Sequence, residues 1–192
     1  MVNYIVSGLE RSGTSMMMQI LKMGGMKVAY DDKRPPDEHN PRGYFELEGG
    51  KIINRLIDGS FPIEMYDGMV IKVTAYGLRY LPDGYDYKVI YMLRDIDEIM
   101  ASMSKMLNEN LGDEDRRAFE NLNKFALKIM RIREDMKYIT VNYRDVIEHP
   151  RREIEMVNDF LGGVLDVESA VRAVDPALYR NRKENIVKEV NK

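Results

Sequence analysis

The chain has 192 residues, with 29 Lys plus Arg against 32 Asp plus Glu for a net charge of −3, and it has no cysteine. That length suits a single domain over 1–192 that buries roughly 70% of its unfolded surface. The lack of cysteine excludes a disulfide framework, a thiolate metal site and a Cys nucleophile, and fits a reducing cytoplasm. The two signs of charge are interspersed, and the apolar runs fall far short of the ~20 residues that cross a bilayer, so neither a nucleic-acid nor a membrane partner is expected.

In chain order, "NYIVSG" (3–8) predicts a short strand, and "TSMMMQILKM" (14–23) predicts a helix with Met17, Ile20 and Leu21 on one face. Further strand-like runs rich in Val, Ile and Tyr follow at 69–74, 88–93 and 138–143. Asp95 and Glu98 form a capping-box pattern ahead of the stripe Ile99, Met100, Met103, Met106, Leu107. A longer stripe runs through 114–137 and ends on Met136, and Pro150 opens a last helix that Gly162 and Gly163 close. This alternation predicts an α/β, P-loop-type three-layer fold with a central, mainly parallel sheet flanked by helices.

Between the first strand and first helix lies "GLERSGTS" (8–15), in which Gly8 and Gly13 have the spacing of a nucleotide-binding phosphate loop. The lysine that should follow the second glycine is replaced by Thr14, and the nearby cation is Arg11, inside the loop. Gly13 admits close backbone approach, the N–H groups of 11 to 15 converge at a helix N-terminus, and Ser12, Thr14 and Ser15 add hydroxyls. An anion site is expected, with an ordinary glycine turn as the plain alternative. Arg94 at a strand end and Ser102 on the next helix form a second pair suited to a terminal phosphate. The polar connection 30–50, broken by Pro35, Pro36, Pro41 and Gly43, is long enough to be functional and belongs near the C-terminal edge of the sheet.

The segment "ERSGTS" resembles the 5′-phosphosulfate loop of the sulfotransferase family, written K/R-S-G-T-S/T. Arg94 and Ser102, in "RDIDEIMAS", are similar to that family's 3′-phosphate motif. "NPRGYFE" (40–46) and "VNYRDVIEHPRREIEMVNDFLGG" (141–163) are similar to segments of its bacterial and archaeal members. The resemblance implies a donor, 3′-phosphoadenosine 5′-phosphosulfate (PAPS), that leaves as PAP, and a hydroxyl or amine acceptor on a small molecule, saccharide or peptide. It places Arg11 on the bridging oxygen, Ser12, Gly13, Thr14 and Ser15 on the 5′-phosphosulfate, and Arg94 and Ser102 on the 3′-phosphate. A guanidinium at the bridging oxygen answers the charge that develops there without Mg²⁺.

The histidine base of the cytosolic branch is missing after Lys72-Val73-Thr74. Glu46, beside the aromatic pair Tyr44-Phe45, is therefore the leading candidate base, ahead of Glu48 and His39, with a structural ion pair as its alternative. Met16 replaces the usual aromatic residue after the loop, and Arg180, Arg182 and Lys183 are either site cations or a solvated tail. A divergent nucleotide kinase or NTPase and a non-catalytic nucleotide-binding module are the competing readings. The acceptor and the oligomeric state are not legible.

Overall fold

In the computed structural model, which describes residues 2–179, four parallel strands form one sheet. They are β1 (Val2–Gly8), β2 (Val70–Lys72), β3 (Asp86–Leu93) and β4 (Met136–Asn142), in the order β2-β1-β3-β4. Chain order reverses on either side of β1, which places a crevice at the C-terminal ends of the strands. Arg180, Arg182 and Lys183 lie outside the described residues.

Seven helices are described: α1 (Thr14–Met23), α2 (Ile52–Ile57), α3 (Ile96–Leu107), α4 (Asp113–Ile132), α5 (Tyr143–Glu148), α6 (Pro150–Leu161) and α7 (Val167–Arg172). Side chains alternate across each strand, so the sheet feeds two cores. On one face Ile5, Ile71, Val89 and Tyr91 pack with α2, α3 and α4 through Leu56, Ile99, Ala126 and Met130. On the other face Val6, Val70, Ile90 and Val141 meet α1, α5, α6 and α7 through Met17, Met18, Ile20, Val146, Ile154, Val157 and Ala170. Met17 and Met18 are fully buried core residues, whereas Met16, the first of the "MMM" run, is half-buried and lines the cavity at the head of α1.

The expected α/β three-layer architecture is the one observed. Helix α1 has the limits read from its periodicity, and α6 starts at Pro150 and ends on Gly162 in the left-handed region, φ 98°. Three local expectations change. Met136 begins β4, because α4 stops at Ile132. Tyr143 is the first residue of α5 and not the last of a strand, since Asn142 caps that helix through Arg144 N–H. Asp95 caps α3 through Asp97 N–H at 2.8 Å, while Glu98 turns away from the capping box to Arg94 and Tyr179.

Candidate active site

The loop between β1 and α1 is closed by its own serine. Ser12 sends both its hydroxyl and its N–H to the Leu9 carbonyl, at 2.7 and 3.2 Å, and is 1% exposed. Its side chain therefore shapes the turn and does not face the cavity, unlike the expectation that it would offer a hydroxyl to the anion. Arg11 takes a left-handed conformation, φ 64°, which throws its side chain off the loop. Its Nε donates to Ser102 Oγ at 2.9 Å and its terminal nitrogen to the His39 carbonyl at 3.0 Å. Gly13, at φ 100°, is required twice, because a Cβ there would lie 2.3 Å from the ring of Tyr143. Thr14 and Ser15 open α1, whose first N–H groups have no intrahelical acceptor and whose first turn holds no acid.

Arg94 stands at the end of β3 and locks onto this loop. It donates to the Arg11 carbonyl at 3.0 Å and to Glu98 at 3.0 Å, with the Arg94 and Glu98 side chains only 8% and 3% exposed. Glu98 in turn accepts from the Tyr179 hydroxyl at 2.6 Å. The Arg94 guanidinium lies 4.5 Å from the ring centre of Tyr143, and Tyr179 meets Tyr143 edge to face. A buried relay thus runs from the segment after α7, through Glu98 and Arg94, to the backbone of Arg11.

The connection 30–50 lies over the loop, as expected for a segment at the C-terminal edge of the sheet. Asp31 holds its neck by accepting from the N–H groups of Lys33 and Glu48. Tyr44 bonds Asp37 through its hydroxyl and packs its ring under Arg34, 3.5 Å from the guanidinium. Arg42 ties the connection to the chain after α7 by bonding the Ala173 carbonyl and Asp175 at 2.8 and 2.7 Å. From inside the connection, Asn40 reaches Ser15 Oγ at 3.1 Å, and Ser15 Oγ donates to the Tyr44 carbonyl at 3.2 Å.

Glu46 points into the same place and carries two cations. Lys72 Nζ is 2.9 Å from one carboxylate oxygen and an Arg34 nitrogen is 3.1 Å from the other. Lys72 comes from the end of β2, on the α1 side of the sheet, where it also meets Ser15 Oγ at 3.2 Å and the Tyr44 carbonyl. Its side chain is 8% exposed, and burial pushes its ammonium below the ordinary lysine value, against the opposing pull of Glu46. Of the other candidate bases, Glu48 bonds Arg55 at 2.7 Å, whereas His39 lines the same cavity as Glu46 and accepts from Arg11 through its backbone carbonyl.

These groups surround one cavity of about 390 Å³ that includes Arg11, Gly13, Thr14, Ser15, Glu46, Lys72, Arg94 and Ser102. Of the residues singled out in the sequence for a site role, Ser12 is turned away and the alternative base Glu48 does not line the cavity. Arg34, Tyr143 and the Tyr179–Glu98 pair are additions that sequence reading missed. Tyr143 follows a strand at the same edge as Arg94, a placement that could have marked it; Arg34 and Tyr179 carry no such signal.

A parallel sheet with a glycine turn between β1 and the head of α1, and Arg11, Lys72 and Arg94 gathered around that turn, has the layout of a phosphate-loop α/β protein. The sulfotransferase domain family model matches residues 3–192, and the chain belongs to that family, a family of transferases. The fold is similar to the sulfotransferase domain of the Synechococcus PCC 7002 olefin synthase, with 15% identity, a TM-score of 0.62, and coverage of 97% of this chain and 82% of that one. Matches of lower similarity include the sulfotransferase domain of the curacin biosynthetic pathway, at 12% identity and a TM-score of 0.47 over 98% of this chain and 96% of that one. Retinol dehydratase in complex with androsterone and inactive cofactor PAP also matches, at 15% and 0.43 over 93% and 64%. No curated protein matches the chain. Among the described residues no helix is long and apolar enough to cross a membrane.

Proposed function

We propose that the protein transfers the sulfuryl group of PAPS to a hydroxyl or amine of a small molecule, saccharide or peptide, releasing PAP. The observation that supports this best is the 2.9 Å contact between Arg11 and Ser102. It joins the cation of the anion loop to the serine of the second motif at one cavity, so a single ligand with two separated anionic groups can engage both.

In this reading the head of α1, with Gly13, Thr14 and Ser15, receives the 5′-phosphosulfate, and Arg94 and Ser102 receive the 3′-phosphate. Ser12 serves through the shape of the turn. The acceptor oxygen or nitrogen attacks sulfur while the bond from sulfur to the 5′-phosphate oxygen breaks. The electron pair goes to that oxygen, where Arg11 stabilises the charge, and the acceptor proton passes to Glu46. Lys72 adds a second buried cation beside Ser15.

The test is thermal and urea unfolding of the whole chain with PAP and, separately, with ATP and Mg²⁺. PAP at about a hundred times its dissociation constant adds roughly 2.7 kcal/mol. Ser102→Ala is the companion variant, because it removes a hydroxyl without stranding the buried charge that loss of Arg94 would leave. Stabilisation by ATP with Mg²⁺ and none by PAP would make the site that of a kinase or NTPase. PAP binding without sulfuryl transfer to hydroxyl and amine acceptors would favour a binding module.

A further inference from the structure

We infer that Glu46 is a placeholder for the donor's anionic group: it occupies Lys72 until the donor displaces it, keeps Arg34, and is thereby delivered to the acceptor. This rests on the donor reading above. An ammonium has three N–H bonds to give. On Lys72 all three have a partner, namely the Tyr44 carbonyl, Ser15 Oγ and Glu46 Oε1. Lys72 lines the cavity but its side chain is only 8% exposed, and with all three N–H bonds engaged it accepts a new partner by losing one.

The choice among the three follows from charge. An anion seated at the head of α1 arrives next to Ser15, whose hydroxyl lies 3.2 Å from Lys72. Ser15 and the Tyr44 carbonyl are neutral, whereas Glu46 carries the same sign as the newcomer. Two anions on one cation in a site shielded from water repel strongly, so the carboxylate is the partner that leaves.

Packing fits this role. Glu46 is 14% exposed, and its Oε2 lies 2.8 Å from where a Cβ on Gly50 would stand, so the glycine leaves room for the carboxylate at this position. Arg34 holds the second oxygen while stacked on Tyr44, which gives the displaced side chain a retained partner on the connection itself. The base is thereby engaged by cations in the free protein and released to the acceptor by the binding of the other substrate.

The experiment is calorimetric titration of the wild type, Glu46→Gln, Lys72→Met and the double variant, with PAP and with inorganic pyrophosphate as separate probes, alongside single-turnover transfer. If the placeholder is in position about 90% of the time, Glu46→Gln binds anions about tenfold more tightly while transferring more slowly. In the Lys72→Met background the same substitution leaves affinity unchanged. Should Glu46→Gln not fold, Glu46→Asp, whose shorter arm withdraws from Lys72, gives a smaller gain of the same sign.

Unchanged or weaker binding of both probes by the Glu46 variants overturns the inference, as does a gain that persists without Lys72. A wild type that ignores PAP, but whose pyrophosphate affinity still rises with Glu46→Gln, removes the donor reading and leaves the placeholder standing.

Discussion

The ring of Tyr143 lies against Gly13, at the first turn of α1, so closely that the glycine cannot gain a single carbon: a Cβ would sit 2.3 Å from the ring. Gly25 has nearly the same backbone twist, φ 96° against 100°, with nothing within 4 Å of the equivalent position. The pair separates conformational strain from packing. Gly25→Ala is expected to lose about 1 kcal/mol, the ordinary cost of φ > 0, and Gly13→Ala at least about 2 kcal/mol more from overpacking. Urea midpoints measure both, and Tyr143→Ala in the Gly13→Ala background recovers the packing part.

Arg11 is the residue whose loss separates binding from chemistry. In the proposed transfer its charge meets an oxygen that gains charge only as the bond to sulfur breaks, so Arg11→Ala should cut kcat on the order of a hundredfold, the scale of one lost transition-state donor, with a much smaller change in PAP affinity. Steady-state kinetics with PAPS and titration with PAP measure the two. Equal losses would assign Arg11 to ground-state binding.

Glu98 is expected to matter for stability before it matters for turnover. Glu98→Gln keeps the shape but removes the charge opposite Arg94, whose side chain is only 8% exposed, and breaking such a buried pair costs about 3 kcal/mol. Tyr179→Phe removes one hydroxyl from the same relay and should cost about 1 kcal/mol. Chemical denaturation of the two variants distinguishes a charge effect from a simple hydrogen bond.

The connection 30–50 should loosen in acid. Burial opposes ionisation of Asp31 and Asp37, but the N–H groups of Lys33 and Glu48 on the first, and the Tyr44 hydroxyl with the N–H groups of Asn40 and His39 on the second, outweigh it and hold both below 3.8. A carboxyl lowered in the folded state contributes stability that is present above its unfolded value and is lost as pH falls through the folded one. Hydrogen exchange in residues 31–47 should therefore stay slow near neutrality and accelerate below the ordinary aspartate value, and Asp31→Asn should remove part of that dependence. Exchange rates that follow only the intrinsic chemistry across this range would contradict it.

Much of the scaffold could be read from local signals. The apolar spacing in "TSMMMQILKM", the proline at 150 and the glycine at 162 each act within a turn or two of the backbone, and each element they mark is present. The strand–turn–helix unit around 8–15 was legible for the same reason, since its parts are contiguous. What failed was decided over distance. Glu98 is four residues from Arg94 but 81 from Tyr179, and that remote hydroxyl draws it away from the capping box its spacing suggested. Glu46 read as a carboxylate near aromatic rings, and the cation that pairs with it, Lys72, reaches it from the end of β2. Ser12 was misleading at short range, where its hydroxyl found the Leu9 carbonyl first.

The relay that begins at Tyr179 also has a consequence for synthesis on the ribosome. The loop 8–15 emerges well before its partners: the carbonyl of Arg11 waits for Arg94, and the carboxylate that steadies Arg94 waits for Tyr179, 81 residues beyond Glu98. Most of the sheet can pair before then, because β4 is complete at Asn142. A nascent chain arrested between α6 and Tyr179 would hold a nearly finished sheet with its arginine relay still open, so the geometry around Arg11 is completed only after the scaffold that carries it.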